Sequence, residues 1–172
     1  MLRKRIWWSL QCRDYNMIVY IKSNRDDIFR QIKCEDILVH ACNSRGVWGA
    51  GIAQQFKKRF PHVYRIYAHW CKINHYNVVG KCLLVADHGH VIGNLITSHG
   101  YGSHRDSENK ILTATYNSVC DLFQQIPVYR TVVSPKINNG LFRVPWERTE
   151  EIIRKAISNC GFDIEWRVYT ID

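Results

Sequence analysis

Three short stretches of this chain collect small, polar and amide-bearing residues in patterns that suit anion or nucleotide chemistry. The first, HACNSRGVWGAGIAQQF, begins at His40. Its glycines at 46, 49 and 51 permit unusual dihedrals and a close backbone approach. The helix opening near Ala50 would aim its first free N–H groups and its dipole at an anion in front of them. Asn43 adds a polar group at the same strand end. The second stretch, NLITSHGYGSHRDS, places Ser98, His99, Gly100, Gly102, Ser103 and His104 between a strand and a helix. Its two imidazoles are suited to acid/base work or to hydrogen-bonding a phosphate. The third, SPKINNGLFRVPW, offers a tight turn at Asn138, Asn139 and Gly140, rich in backbone and amide donors. Phe142 and Trp146 nearby either stack on an adenine or ribose, or pack in the core.

Several chemistries are excluded by spacing. No G-x-x-x-x-G-K-[ST] occurs, and Gly49-Ala50-Gly51-Ile52-Ala53-Gln54 lacks the third glycine of a dinucleotide fingerprint. Cys42 and Arg45 mimic a tyrosine-phosphatase loop. That reaction needs five residues between the thiolate and the arginine so that both surround one phosphate, and here only two intervene, so Cys42 reads as packing. The eight histidines form no H-E-x-x-H or similar ligand pattern, and His88-Gly89-His90 belongs to a hairpin turn. No metal or other cofactor is expected. A G-x-S-x-G elbow is absent.

The elements that must position these loops alternate. Strands are predicted at Met17–Lys22 and Asp36–Cys42, around a short helix from Asp26 to Lys33. After the glycine-rich turn, GIAQQFKKRF reads as an amphipathic helix ended by Pro61. HVYRIYAHWC reads as another, with Val63, Ile66, Tyr67 and Trp70 on one stripe. Strands KCLLVA and HVIGNLIT follow as a hairpin turning at Asp87–Gly89. A helix then runs from Asp106, a candidate N-cap, to Gln125. Tyr129–Ile137 reads as a strand, Trp146–Asn159 as a helix closed by Gly161, and Asp163–Ile171 as a final strand. This order predicts an α/β fold of three layers, α/β/α, with a mixed central sheet. Ligands on such sheets collect at the carboxyl ends of the strands, where all three stretches fall.

With 172 residues, the chain has room for one domain. We read residues 1–16 as a basic N-terminal extension and 17–172 as the domain. No apolar run is long enough to span a membrane, and MLRKRIWWSLQCRDYN has only a broken apolar patch with no small-residue cleavage site. No membrane partner is expected, and the chain is read as a monomer. Seven scattered cysteines without a C-x-x-C pair point to reduced thiols and a cytoplasmic location. The net charge of +9 favours an anionic partner without naming it. Nucleic acid ranks last among the candidates, because no aromatic-basic strand or zinc module accompanies the charge.

Taken together, HACNSRGVWGAGIA, NLITSHGYGSH and PKINNGLFRVPW, in that order and spacing, resemble the macrodomain family. Within it they are most similar to the yeast-type ADP-ribose 1''-phosphate phosphatase branch. The resemblance runs from about Met17 to the C-terminus. It implies a mixed sheet between helices, with ADP-ribose or its 1''-phosphate, a small nucleotide sugar, lying across the strand ends. It further implies that Asn43 holds the distal ribose, that Trp48 to Ala53 surround the ribose and terminal phosphate, and that Ile137 to Phe142 line the diphosphate. On the adenine side the usual K-G-[DN]-I is replaced by KSNRDDI, which leaves Asn24 and Asp27 as alternatives.

The site implied by this resemblance has His40 and Asn43 as catalytic residues. Its ligand-lining set is Asn24, Asp27, Ala41, Cys42, Asn43, Trp48, Gly49, Ala50, Gly51, Ile52, Ala53, Ser98, Ile137, Asn138, Asn139, Gly140, Leu141 and Phe142. The expected reaction is metal-independent removal of the 1''-phosphate by water, from a substrate that arises as a by-product of tRNA splicing. His40 or a histidine of the second loop would manage the proton. A non-catalytic ADP-ribose-binding module is one rival. A hydrolase of protein-linked ADP-ribose is another. The branch that removes terminal ADP-ribose uses a lysine after L-I-T and an aspartate after the last-loop G-L, where this chain has Ser98 and Phe142.

Overall fold

The computed structural model describes residues 17–24, 27–127 and 129–171. The basic extension at residues 1–16 lies outside them. The described elements are β1 (Met17–Ser23), α1 (Asp27–Gln31), β2 (Ile37–Asn43), α2 (Gly51–Arg59), α3 (Pro61–Asn74), β3 (Cys82–Asp87), β4 (His90–Ser98), α4 (Glu108–Gln125), β5 (Tyr129–Pro135), α5 (Trp146–Cys160) and β6 (Asp163–Ile171). They form the predicted mixed sheet between helices, in the strand order β1-β6-β5-β2-β4-β3.

Every pairing is parallel except β3 with β4. That hairpin turns through His88 and Gly89, both at positive φ (48° and 80°), the conformation a two-residue hairpin loop requires. Five strands therefore end at one edge of the sheet, and the three loops singled out in the sequence all start there. At that edge the β2–β4 register slips between Cys42 and Asn43. Such a bulge re-aims the last residue of a strand.

Strand β2 is buried on both faces because helices cover both. Ile37 and Val39 point into a core shared with α4 and α5, including Val119, Leu122, Ile153 and Trp166. Leu38 and Cys42 point the other way, into a core with Phe56, Val63 and Tyr67 from α2 and α3. The period of two along a strand thus sends His40 towards α2.

Of the boundaries that differ from the sequence expectation, two bear on the site. Helix α4 starts at Glu108, with extended Ser107 in the cap position. The Asp106 carboxylate turns back instead and accepts the His99 N–H at 2.6 Å. Strand β5 stops at Pro135 rather than Ile137, because the chain leaves the sheet for a turn in which Asn138 has φ 64°. Among the described residues, no helix is long and apolar enough to cross a membrane.

Candidate active site

The loop after β2 is held from within. Asn43 Oδ1 accepts the N–H groups of Arg45 (3.1 Å) and Val47 (3.3 Å), while its Nδ2 donates to the Val47 carbonyl at 2.7 Å. The Tyr67 hydroxyl donates to the Asn43 carbonyl. Trp48, 1% exposed, stacks on the Tyr67 ring at 5.1 Å. A side chain at Gly46 would press on the α3 backbone, 3.0 Å from Ala68 Cα, so this corner requires glycine. The result is a fixed loop that leaves Gly49, Ala50 and Gly51 exposed. Helix α2 has no side-chain cap. The N–H groups of Gly51, Ile52 and Ala53 therefore point out of its first turn, as an anion site needs.

The loop after β5 meets this one. A β-carbon at Gly51 would lie 3.7 Å from Leu141 Cδ1, so the two turns converge on one edge of the sheet rather than lying apart. Asn139, Gly140 and Leu141 are exposed beside the α2 terminus. The side chain of Asn138 faces inward: it accepts from Thr97 Oγ1 and donates to Thr115 Oγ1, both at 2.8 Å. Its amide therefore ties the loop to β4 and α4 and is not offered to a ligand. Ile137 is 2% exposed. Phe142, at 8%, packs with Ile111, Leu112 and Val144. Trp146 is buried and donates its indole N–H to Tyr20 Oη at 2.8 Å. The stacking alternative for Phe142 and Trp146 thus gives way to packing.

His40 also departs from the expectation. It has no exposed surface and lies between Phe56 and Trp48, with Nε2 3.3 Å from Asn94 Oδ1. Burial pulls its pKa down to about 3, with the Asn94 hydrogen bond opposing. A neutral imidazole closed off from solvent shapes the floor of β2 and has no route to a substrate proton. The reason is the parity of the strand, which points position 40 at α2. Cys42 shares that face, and burial drives its thiol well above the ordinary range, with the Trp48 indole opposing. It is no nucleophile. Ala41 faces the opposite core, half-buried against Phe142 and its neighbours.

The loop after β4 carries the titratable groups that remain. Ser98, fully buried, receives the Asp106 N–H on Oγ at 3.1 Å. Ser44 Oγ sits 2.6 Å from His99 Nδ1, and the Ser44 N–H donates to the Ser98 carbonyl at 3.0 Å, so the loops after β2 and β4 are joined. Partial burial, then the neighbouring Arg45, lower the His99 pKa against the opposing pull of Asp106. Gly100 is obligatory, because a β-carbon there would fall 2.0 Å from the His104 carbonyl oxygen. His99 and Asp106 border a groove of about 490 Å³ that Lys110 and Asn117 of α4 also line.

Sequence reasoning passed over Ser44 and gave Asp106 only a capping role. The signal for Asp106 was present: it is the single carboxylate in the three loops, residues 43–50, 99–107 and 136–145. Asn24 is exposed just past β1, and Asp27 opens α1. Both stand at the same sheet edge, three strand positions from β2, or about 14 Å at roughly 4.8 Å per strand. An extended ligand lying across the strand ends has that span.

A mixed sheet in this order, with a glycine-rich helix start and two amide-rich loops at one edge, defines a macrodomain. The chain belongs to the Macro domain family, whose model matches residues 39–153. It is 35% identical over 163 residues to the ADP-ribose 1''-phosphate phosphatase of Meyerozyma guilliermondii, covering 79% of this chain and 91% of that protein. To the protein of the same description from Candida albicans it is 33% identical over 159 residues, covering 86% and 98%. Among solved structures, the macrodomain of Mycobacterium tuberculosis DarG is similar with a TM-score of 0.70 and 26% identity, covering 89% of this chain and 97% of that one.

Proposed function

We propose that this protein is an ADP-ribose 1''-phosphate phosphatase. Water attacks the phosphorus, the bond from phosphorus to the 1'' oxygen breaks, and ADP-ribose and inorganic phosphate leave. The relatives named above support the substrate. The observation that carries the reading is the placement of Asp106 against the His99 N–H, in a strand-end loop that the Ser44 N–H ties to the glycine-rich loop.

Each step has a group suited to it. The His99 N–H and the Ser98 hydroxyl, at 2.6 and 3.4 Å, both fall on Asp106 Oδ2, which fixes the carboxylate while Oδ1 takes the water proton. His99, fixed by Ser44, returns a proton to the departing 1'' oxygen. The N–H groups of Gly51, Ile52 and Ala53 meet the charge on the phosphates. Asn43 retains a second amide N–H for the ribose.

The setting completes the reading: a monomer in the cytoplasm, its substrate a by-product of tRNA splicing, with no nucleic acid in the cleft. The six cysteines among the described residues are free thiols, which supports a reducing compartment. Phosphate release from ADP-ribose 1''-phosphate, compared between the intact protein and Asp106→Asn, tests the enzyme. Release by the intact protein and its loss in the variant is the expected result. Tight ADP-ribose binding without any release would leave a binding module in its place.

A further inference from the structure

Between Asp36 and Asp87 the chain contains no aspartate or glutamate. The fold gathers most of that stretch on one side of the sheet. Helices α2 and α3 carry Lys57, Lys58, Arg59, Arg65 and Lys72 and no carboxylate. On the opposite side, α4 and α5 carry five acidic residues against four basic ones. Helices α2 and α3 thus carry five of the nine net positive charges, which a count over the whole chain does not reveal.

The polar face of α3 is also aligned. His62, Arg65, His69 and Lys72 recur at i, i+3, i+7 and i+10, all four exposed, with Arg65 and Lys72 as its cations and His62 Nδ1 accepting from Arg65 at 3.5 Å. They lie opposite Val63, Tyr67 and Cys71, which the helix buries. The row is about 15 Å long at roughly 1.5 Å per residue. Lys57 Nζ sits 4.1 Å from the centre of the Tyr64 ring, which brings a cation of α2 onto the flank of α3. Cations held close together repel one another, and a polyanion relieves that repulsion.

The chemistry of this face selects among polyanions. An anionic membrane surface takes an apolar stripe as well as charge. Of the large exposed hydrophobics among the described residues, only Ile73 lies on α2 or α3. Five cations spread over two adjoining helices suit one flexible strand of phosphates, which can follow them, better than the two strands of a rigid duplex. We propose that the α2–α3 face binds single-stranded nucleic acid through its phosphate backbone. It does so apart from the ADP-ribose cleft, because the cations of α2 occupy its last turn while its first turn faces the cleft.

The test uses the full chain and a fluorescein-labelled oligouridylate, with anisotropy read from low to physiological salt. The intact protein is expected to bind with a log–log salt slope of about −2 to −3, unaffected by saturating ADP-ribose. Neutralising Lys58→Gln, Arg65→Gln and Lys72→Gln together should weaken binding by about tenfold or more and reduce the slope by about 2. Phosphate release and thermal midpoint should not change. Neutralising Arg154→Gln with Lys155→Gln on the opposite layer should leave binding intact. The proposal is overturned by no binding at the lowest salt, by competition from ADP-ribose, by equal losses from the two sets of variants, or by tighter binding to phosphatidylserine vesicles than to the oligonucleotide.

Discussion

His40 lies flat against Phe56, ring centroids 3.9 Å apart and planes 16° from parallel. A protonated imidazole would be a buried charge in that sandwich, which is why its pKa falls from 6.5 to about 3. Between those values the unfolded chain binds a proton that the folded chain refuses. Stability should therefore fall as pH drops from about 6.5 towards 3, by up to about 1.4 kcal/mol per pH unit. Urea midpoints taken from neutral pH downwards would show the slope, and His40→Gln should flatten it. The same variant should keep the shape of the pH profile for phosphate release, since His40 has no path to the substrate. A lost limb in that profile would return His40 to catalysis.

Asp106 is the position at which hydrolysis and binding should separate. Asp106→Asn keeps a group that still accepts the His99 N–H but is no base. Phosphate release should drop by about 10²- to 10⁴-fold, while calorimetric affinity for ADP-ribose stays within a few-fold. His99→Gln removes the proton donor to the departing 1'' oxygen together with the 2.6 Å contact to Ser44, and should cost about 10²-fold. A larger effect from His99 than from Asp106 would reverse their proposed roles.

The contrast between His40 and Asp106 shows what local sequence reveals. Periodicity located the hairpin, the parallel strands and the long helix, because strand parity and helical stripes are written in neighbouring residues. The glycine-rich helix start and the three strand-end loops were legible for the same reason. Which face of β2 a helix covers is not local: His40 meets Phe56 across 16 positions, and only the packed α2 reveals that the position is closed. Asn138 is similar, since its partners Thr97 and Thr115 stand on two other elements. Asp106 was misread because an aspartate just before a helix has a bland local explanation, whereas its actual partner is the N–H of a residue seven positions earlier.

Asn138 should therefore matter more to stability than to direct ligand contact. Asn138→Ala strips the acceptor from the fully buried Thr97 hydroxyl, a loss of about 1 to 3 kcal/mol. Alanine also tolerates φ 64° less well than asparagine, adding up to about 1 kcal/mol that Asn138→Gly avoids. Denaturant titration of the two variants should show both destabilised, with alanine the worse. Equal midpoints would mean the backbone is unstrained at this turn.

Gly51 and Leu141 form the contact through which the two phosphate-facing loops meet, and their coupling can be measured. Gly51 has φ 60°, so Gly51→Ala should cost about 1 to 2 kcal/mol in stability whatever stands opposite it. Its added methyl would also rest at 3.7 Å from Leu141 Cδ1, an ordinary contact that fills part of the space where the two loops meet. ADP-ribose affinity should fall with it. Leu141, 54% exposed, can be truncated without opening a core cavity. Leu141→Ala in the Gly51→Ala background should recover part of the affinity and none of the stability, because truncation frees the cleft but leaves the backbone strain in place. A double-mutant cycle on calorimetric affinity checks this. Strict additivity of the two changes would mean that the loops do not act on the ligand together.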